Sequence, residues 1–433
     1  MSFALGIILF ILGIAISVAL HEAGHLLTAK WSGMRVRAYF IGFGPTLFSW
    51  HKGGTEYGFK ALPLGGYCDI AGMTILDEEL TEEEAPDAMY KKPAWKRIIV
   101  MLGGIIMNVL LGISLIWVVA AAWGLPNTNS PIVTRVAATT CVADQHSDGS
   151  VAKCSGNGPA AAAGIRAGDI ITHVNGHKIQ NSAQVISLTQ SATTDVEYTV
   201  MRDGKTYTFH VHPEQAFRLV KKPDAGKDDK GTLTKVAVAG VSVREEPLEP
   251  IRHYNGATAF PAAMKFSWEI NGAIAKALVH IPAQIPGLVK AIFGGERSAD
   301  SPMSIVGASV AGGDALAFGS WSVFLMLLAQ INFCLALFNL IPLPPLDGGH
   351  VVVVLYEKIR DGIRRLEGKD PKGPDDYSQL MTITTVIGGL LVMLFLLPGT
   401  RFLPLYLVHA FAFFSCQFNA ASSKKLPNSP RLD

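Results

Sequence analysis

Four long apolar runs dominate the pattern of hydrophobic and polar positions along the chain. None of them contains a charged residue; they are residues 3–20, 99–123, 322–344 and 380–398. A helix of about 20 apolar residues is long enough to cross the hydrocarbon core of a bilayer. The pattern therefore predicts four transmembrane helices, with boundaries at residues 1–30, 97–124, 322–350 and 379–398.

The first apolar run has a second interpretation, a signal peptide that is removed from the mature protein. Signal peptides begin with a basic segment and end at a cleavage site of small residues. The N-terminal sequence MSFALG has no basic residue, and no such site follows the run. These features favour a retained transmembrane helix.

Basic residues near the ends of the apolar runs predict the orientation of the chain. The loops 31–96 and 351–378 each carry several Lys and Arg residues close to a predicted helix end. Loops of this kind face the cytoplasm in multi-pass membrane proteins. We therefore expect both termini, the tail 399–433 and the long segment between the second and third helices to lie outside the cytoplasm.

The segments between the helices show three different patterns. Residues 31–96 contain short aromatic and β-branched runs broken by Gly and Pro, which predicts a membrane-associated β-rich region on the cytoplasmic side. Residues 125–250 alternate helix and strand patterns, as a soluble α+β domain would. Residues 251–321 show helical periodicity interrupted at Pro282 and Pro286, which we interpret as amphipathic helices on the outer membrane face. Helices packed under the soluble domain are the alternative.

Composition agrees with a membrane protein and adds one expectation about cysteines. The 433 residues are 49% hydrophobic and 17% charged, and a net charge of +2 gives no reason to expect nucleic-acid binding. Cys141 and Cys154 both fall in the segment predicted to be exported. Because an oxidising compartment favours disulfides, we expect these two residues to be bridged; two free thiols are the alternative.

The sequence His21-Glu22-Ala23-Gly24-His25 continues directly from the first apolar run. Residues four positions apart share one face of a helix, so both imidazoles can reach a single metal ion. The glutamate between them lies beside that site and can take a proton from an attacking water. The alternative is a His/Glu pair at a helix end whose side chains extend to water.

A catalytic zinc site needs a third protein ligand, and the best candidate lies far along the chain. The sequence NLIPLPPLDGG, from Asn339 to Gly349, interrupts the third apolar run with prolines and glycines. Irregular backbone at membrane depth is tolerated where it is buried in protein or lines a wet cavity. Asp347 in this segment is a plausible oxygen ligand, although the same residues also suit an ordinary turn.

These motifs resemble the site-2 protease family of intramembrane metalloproteases, in particular the regulator-of-sigma-E protease type. The resemblance implies that His21, His25 and Asp347 bind one zinc ion, that Glu22 is the general base and that Asn339 contacts the substrate. Asn108 falls where members usually have a Gly-Pro-x-x-Asn pattern, but Ile105 replaces the proline here.

The resemblance also implies an architecture and partners. The expected fold is a polytopic α-helical membrane protein of about four transmembrane helices, with a cytoplasmic-side β-rich loop and one inserted extracytoplasmic PDZ-like domain, as in actinobacterial members. Expected substrates are single-span membrane proteins, such as anti-sigma factors or remnant signal peptides, met within the lipid of the inner (plasma) membrane.

Two other classes of function compete with a protease. A transporter or channel would have charged residues in several helices or an internal repeat, and the sequence shows neither. A catalytically inactive membrane scaffold that presents the PDZ-like domain would not need the complete set of His, Glu, His and Asp residues.

Overall fold

The computed structural model describes residues 2–73, 77, 80–220, 231–292, 305–343 and 346–374. The chain divides into two compact units, one of Met1–Trp123 with Tyr254–Asp433 and the other of Gly124–His253.

The helices and strands of the described residues are numbered in chain order. The helices are α1 (Phe3–Trp31), α2 (Ala94–Ala122), α3 (Pro159–Ala162), α4 (Ser182–Gln190), α5 (Gly256–Ile292), α6 (Ile305–Ala317), α7 (Trp321–Asn339) and α8 (Asp347–Leu366). The strands are β1 (Val36–Lys52), β2 (Thr55–Ile70), β3 (Leu125–Pro126), β4 (Ile132–Thr139), β5 (Ile170–Val174), β6 (His177–Lys178), β7 (Val196–Arg202), β8 (Lys205–Val211), β9 (Glu214–Val220), β10 (Thr232–Val238), β11 (Val241–Pro247) and β12 (Ile251–Arg252).

Three described helices, α1, α2 and α7, are long and apolar enough to cross a membrane. They coincide with three of the four predicted spans. Large apolar side chains remain exposed on their outer faces, among them Ile8, Leu110 and Val323, as expected for surfaces that contact lipid rather than water. The fourth predicted span, 379–398, and the tail 399–433 lie outside the described residues.

The helices α5 and α6 cover the segment predicted to hold amphipathic helices. The expected interruption at Pro282 and Pro286 is wrong, because α5 continues through both residues. A proline removes a single N–H from the helical hydrogen-bond ladder, and the bonds on either side can carry the helix onward. α6 packs closely on α1, where a Cβ added to Gly6 would lie 2.9 Å from Cα of Gly313.

The third predicted span contains the interruption that its prolines and glycines indicated. α7 ends at Asn339, and the chain starts a new helix, α8, at Asp347. α8 therefore occupies the first part of the segment 351–378 that was predicted as a loop. A side chain at Gly348 would meet the carbonyl oxygens of Leu340 and Ile341 at 2.5 Å, so the glycine permits this tight return.

The β-rich region predicted in residues 31–96 is a long antiparallel hairpin of β1 and β2, in which residues 36–41 pair on one side with 56–59 and on the other with 66–70. Its base packs on α1 and α2 through a buried cluster that includes Leu26, Val36, Ile70 and Met101. The Tyr39 hydroxyl donates a hydrogen bond of 2.7 Å to the carbonyl of Ala19 in α1. These contacts fix the hairpin base against the first helix.

The unit Gly124–His253 is built on an antiparallel sheet with the strand order β11-β4-β5-β7-β8, and β6 pairs with β5. Its core includes the fully buried Ile171, Tyr198 and Val200, and Val185 of α4 packs in the same cluster. The hydroxyl groups of Tyr198 and Thr189 lie 2.5 Å apart, which satisfies the buried phenol. The unit thus has a core of its own.

The expected disulfide between Cys141 and Cys154 is confirmed. It closes a loop that attaches to β9. The backbone N–H of Phe217 donates to the Asp144 carboxylate at 2.9 Å, and the N–H of Gln145 donates to the Phe217 carbonyl at 3.0 Å.

A buried ion pair ties α8 to α2. Arg97 Nη1 lies 2.6 Å from the Glu357 carboxylate, and both side chains are almost fully buried, at 7% and 6% exposure. Removing one partner would leave an uncompensated buried charge, which costs far more than removing both.

We expect Arg97→Met to destabilise the protein by about 3–5 kcal/mol, because the Glu357 carboxylate loses its cation. The double variant Arg97→Met/Glu357→Leu should regain most of that loss. Denaturant unfolding in detergent measures the free energy of unfolding of the single and the double variants. A double variant as unstable as the sum of the two single variants would contradict this account.

Candidate metal centre

Two imidazoles of α1 form the base of the site. His21 and His25 lie one helical turn apart, are 8% and 7% exposed, and face each other with their Nε2 atoms 3.2 Å apart. When neither ring nitrogen carries a hydrogen, two of them at this distance point their lone pairs into the same small volume. Such an arrangement is suited to a shared cation.

Asp347 completes the group from the first residue of α8. Its Oδ2 lies 3.3 Å from Nε2 of His21 and 3.4 Å from Nε2 of His25. Although buried, Oδ2 accepts no hydrogen bond from the described residues. His21, His25 and Asp347 thus form a set of side chains that could hold a metal ion.

The spacing of the three ligand atoms fits zinc. Nitrogen and oxygen ligands lie about 2.0–2.2 Å from zinc in a tetrahedral site, so any two of them are separated by about 3.3 Å. The three measured separations are 3.2, 3.3 and 3.4 Å. Two His and one carboxylate are also a ligand set found in catalytic zinc sites, where the fourth position is left for water or substrate.

The backbone of α2 orients one of the imidazoles. His25 Nδ1 lies 2.8 Å from the carbonyl oxygen of Val100, which can only accept. Nδ1 therefore carries the hydrogen, and the lone pair of Nε2 faces the centre of the site. A ring nitrogen that donates to a carbonyl is the usual outer support of a metal-binding histidine.

Glycines allow α2 to lie this close to α1. A Cβ at Gly24 would overlap the carbonyl of Gly103, so the two helix backbones are in direct contact there. A Cβ at Gly104 would lie 2.5 Å from His25 Nε2 and 2.6 Å from His21 Cε1. The hydrogen side chain of Gly104 thus leaves the space that the two rings occupy.

Glu22 lies between the histidines and against the hairpin. The backbone N–H of Cys68 in β2 is directed toward its carboxylate. Gly66 of the same strand is buried, and a Cβ there would come 3.3 Å from Cγ of Glu22. The hairpin therefore holds the carboxylate at the side of the ligand group and keeps it within the site.

All five residues predicted as a functional site line one cavity of ≈ 370 Å³; they are His21, Glu22, His25, Asn339 and Asp347. The amide nitrogen of Asn339, at the end of α7, lies 3.4 Å from Nε2 of His21. A cavity of this size accommodates a short peptide segment rather than a whole helix.

Other residues that line the cavity were not predicted as part of the site. They include Cys68, Asn108 and His350. His350 follows Asp347 by about one helical turn on α8. That spacing from a candidate ligand is the signal that could have identified it. Asn108 lies against His21 although Ile105 replaces the proline of the expected pattern.

The sequence profile of peptidase family M50 matches residues 9–370. The chain is 43% identical over 393 residues to zinc metalloprotease Rip1 of Mycolicibacterium smegmatis, covering 89% of this chain and 94% of that protein. It is 41% identical over 400 residues to zinc metalloprotease Rip1 of Mycobacterium tuberculosis, covering 92% of this chain and 97% of that protein. It is 28% identical over 372 residues to metalloprotease MmpA of Caulobacter vibrioides, covering 81% of this chain and 86% of that protein.

We expect Gly104→Ala to weaken zinc binding by about 10–100-fold, the range seen when the groups that orient metal ligands are lost. The added methyl group would displace one or both imidazoles. Competition with a chelator of known affinity, followed by metal analysis, measures the effect. Gly272→Ala is the control, because a Cβ at that helical position meets no atom within 4 Å. Equal zinc affinity in the two variants would refute the steric argument.

Proposed function

The chain belongs to peptidase family M50 and is an intramembrane zinc metalloprotease, and from this premise we propose that His21, His25 and Asp347 bind its zinc ion. The proposal rests on one observation above all, the triangle of ligand atoms separated by 3.2–3.4 Å. Among the described residues, these three offer His and carboxylate ligand atoms that converge closely enough to hold one metal ion.

Zinc in such a site activates water and polarises the carbonyl of the bond to be cut. We assign the proton transfers to Glu22. Its carboxylate adjoins the ligand group, so it can take a proton from the attacking water and later give it to the leaving amine. The Cys68 N–H faces this carboxylate and would hold it in place for both steps.

We assign substrate contact to Asn339. Its side-chain amide reaches His21 Nε2 at 3.4 Å from the far side of the cavity. An N–H₂ group there can donate to the carbonyl oxygen of the substrate and stabilise the negative charge that develops on it. Asn339 ends α7, so its position depends on the same helix break that presents Asp347.

The hairpin offers a way to hold the substrate. A helical substrate hides its carbonyls in internal hydrogen bonds and must open locally before attack. Gly66 in β2 lies beside Glu22, and residues 66–70 pair with 36–41 on one side only, which leaves an edge among the described residues. An unwound substrate segment can add to such an edge as a further strand, a common mode of peptide recognition.

We propose that the protein lies in the inner (plasma) membrane with four spans, the fourth being 379–398. The loop 31–96 and the segment 351–378 would then face the cytoplasm, as their basic residues favour. The domain 125–250 would be an extracytoplasmic PDZ-like domain, and 251–321 would lie at the outer membrane face. The Cys141–Cys154 disulfide supports an oxidising location for this domain.

The substrates that fit this arrangement are single-span membrane proteins, with anti-sigma factors and remnant signal peptides as the proposed classes. The cut would be the second in a regulated sequence, after another protease has shortened the outer part. The domain 125–250 would then act as a filter that excludes bulky outer domains. The inactive-scaffold alternative has no support, since no member of the catalytic set is missing.

Glu22→Gln tests the proposed proton transfer. We expect cleavage of a membrane-protein substrate to fall by about 10²–10⁴-fold while zinc stoichiometry stays at one, because Gln keeps the shape but cannot accept the proton. Cleavage in proteoliposomes and metal analysis give the two readouts. Glu269→Gln, an exposed carboxylate on α5, is the control. Wild-type cleavage by the Glu22 variant would exclude this residue as the base.

The hairpin proposal has its own test at Ile41, which pairs with Gly66 on one side and with Phe59 on the other. Ile41→Pro removes an N–H and disturbs the strand beside Glu22, so cleavage should fall by about 10²-fold with zinc retained. Ile41→Ala, which keeps the N–H, should be much less affected. Equal cleavage by the two variants would argue against substrate pairing at this hairpin.

A further inference from the structure

Asn108 of α2 is a buried amide with an incomplete set of hydrogen bonds. It is 1% exposed, and its Nδ2 lies 3.1 Å from Nδ1 of His21, on the side of the ring away from Asp347. Its Oδ1 is buried and has no hydrogen-bond partner among the described residues. A buried carbonyl oxygen without a donor is costly, and a structure rarely retains one without a reason.

The placement of the amide conflicts with metal binding by His21. If His21 Nε2 is to bind a metal ion, its lone pair must be free, so the ring hydrogen resides on Nδ1. That N–H then needs an acceptor, but the atom facing it is an NH₂ group, which only donates. A neutral imidazole cannot satisfy both demands in this arrangement.

Rotation of the Asn108 amide by half a turn resolves the conflict at His21 and gives the oxygen a donor, and the NH₂ group then points to the side that Oδ1 had occupied. The oxygen and nitrogen ends of the group are nearly identical in shape, so the rotation requires no other movement. Oδ1 then accepts from Nδ1–H of His21, and the orphaned oxygen gains a donor. The same arrangement already exists at His25, whose Nδ1–H donates to the Val100 carbonyl at 2.8 Å.

We propose that Asn108 is a positioning residue of the zinc site, whose side-chain oxygen accepts a hydrogen bond from His21 Nδ1–H and so turns the Nε2 lone pair toward the metal. The proposal rests on the ligand set of the proposed function. α2 then supports both imidazoles from one face, through a backbone oxygen at Val100 and a side-chain oxygen about two turns later. Gly104 lies between them and provides the room.

Two substitutions separate an acceptor from a donor at this position. Asn108→Asp keeps an oxygen toward Nδ1–H and removes the NH₂ group, whereas Asn108→Leu keeps the approximate volume and removes both functions. The readouts are zinc affinity, by chelator competition on the full-length protein in detergent, and the visible spectrum of the Co²⁺-substituted protein. The spectrum reports ligand geometry, which a loss of general stability does not change.

We expect Asn108→Leu to weaken zinc binding by about 10–100-fold and to alter the cobalt spectrum, as loss of a group that orients a metal-bound histidine does. Asn108→Asp should bind zinc at least as tightly as wild type and keep the cobalt spectrum. Asn332→Leu is the matched control, because it removes another fully buried amide, which bonds Ser17 on α1, away from the metal ligands. It should retain zinc affinity.

The opposite results would overturn the proposal. If Asn108→Asp loses zinc as Asn108→Leu does, Asn108 acts as a donor; if Asn108→Leu binds like wild type, it does not position His21. Should Asn108→Leu fail to fold, Asn108→Asp decides alone, with retention of zinc in support and its loss against. His21→Ala tests the proposed ligand set separately from the role of Asn108. Normal zinc binding by that variant would refute the ligand set itself.

Discussion

The close contact between α1 and α2 is the constraint on which the rest of the site depends. Gly24 and Gly103 bring the two backbones together, and Gly104 leaves room for both imidazoles. Only at this separation can the Val100 carbonyl reach His25. A helix held further away by side chains would leave the ring nitrogens without partners in a region where water is scarce, and unsatisfied polar groups there are costly.

The second requirement is a helix break at the depth of the histidines. α7 ends at Asn339 and α8 starts at Asp347, so the amide and the carboxylate reach one cavity from the two sides of a short irregular segment. Irregular backbone of this kind needs support from the protein around it. Gly348 permits the tight return, and the buried pair Arg97–Glu357 fixes the far end of α8 to α2. The helix that packs against the imidazoles therefore also anchors the element that carries Asp347.

The hairpin of β1 and β2 joins this framework at Glu22, the proposed base. Glu22 lies between two imidazoles on α1, and its carboxylate faces the Cys68 N–H of β2. The element that is suited to bind an unwound substrate strand thus also holds the proposed base. The same backbone would then align the substrate strand and the base that transfers the proton. Such alignment favours a reaction in a restricted, partly apolar space.

Local pattern in the sequence was sufficient to predict the three apolar helices, the β-rich loop and the His, Glu, His and Asp set. Hydropathy reports burial in lipid, and residues four apart on a helix must share a face whatever surrounds them. The convergence of His21 with Asp347, the approach of Asn108 to His21 and the pairing of Arg97 with Glu357 were decided by tertiary structure. These contacts join residues 87 to 326 positions apart, and no local periodicity encodes which helix packs on which. The two prolines of α5 also led to a wrong prediction of helix interruptions, because a helix can continue past each position that lacks a backbone hydrogen bond.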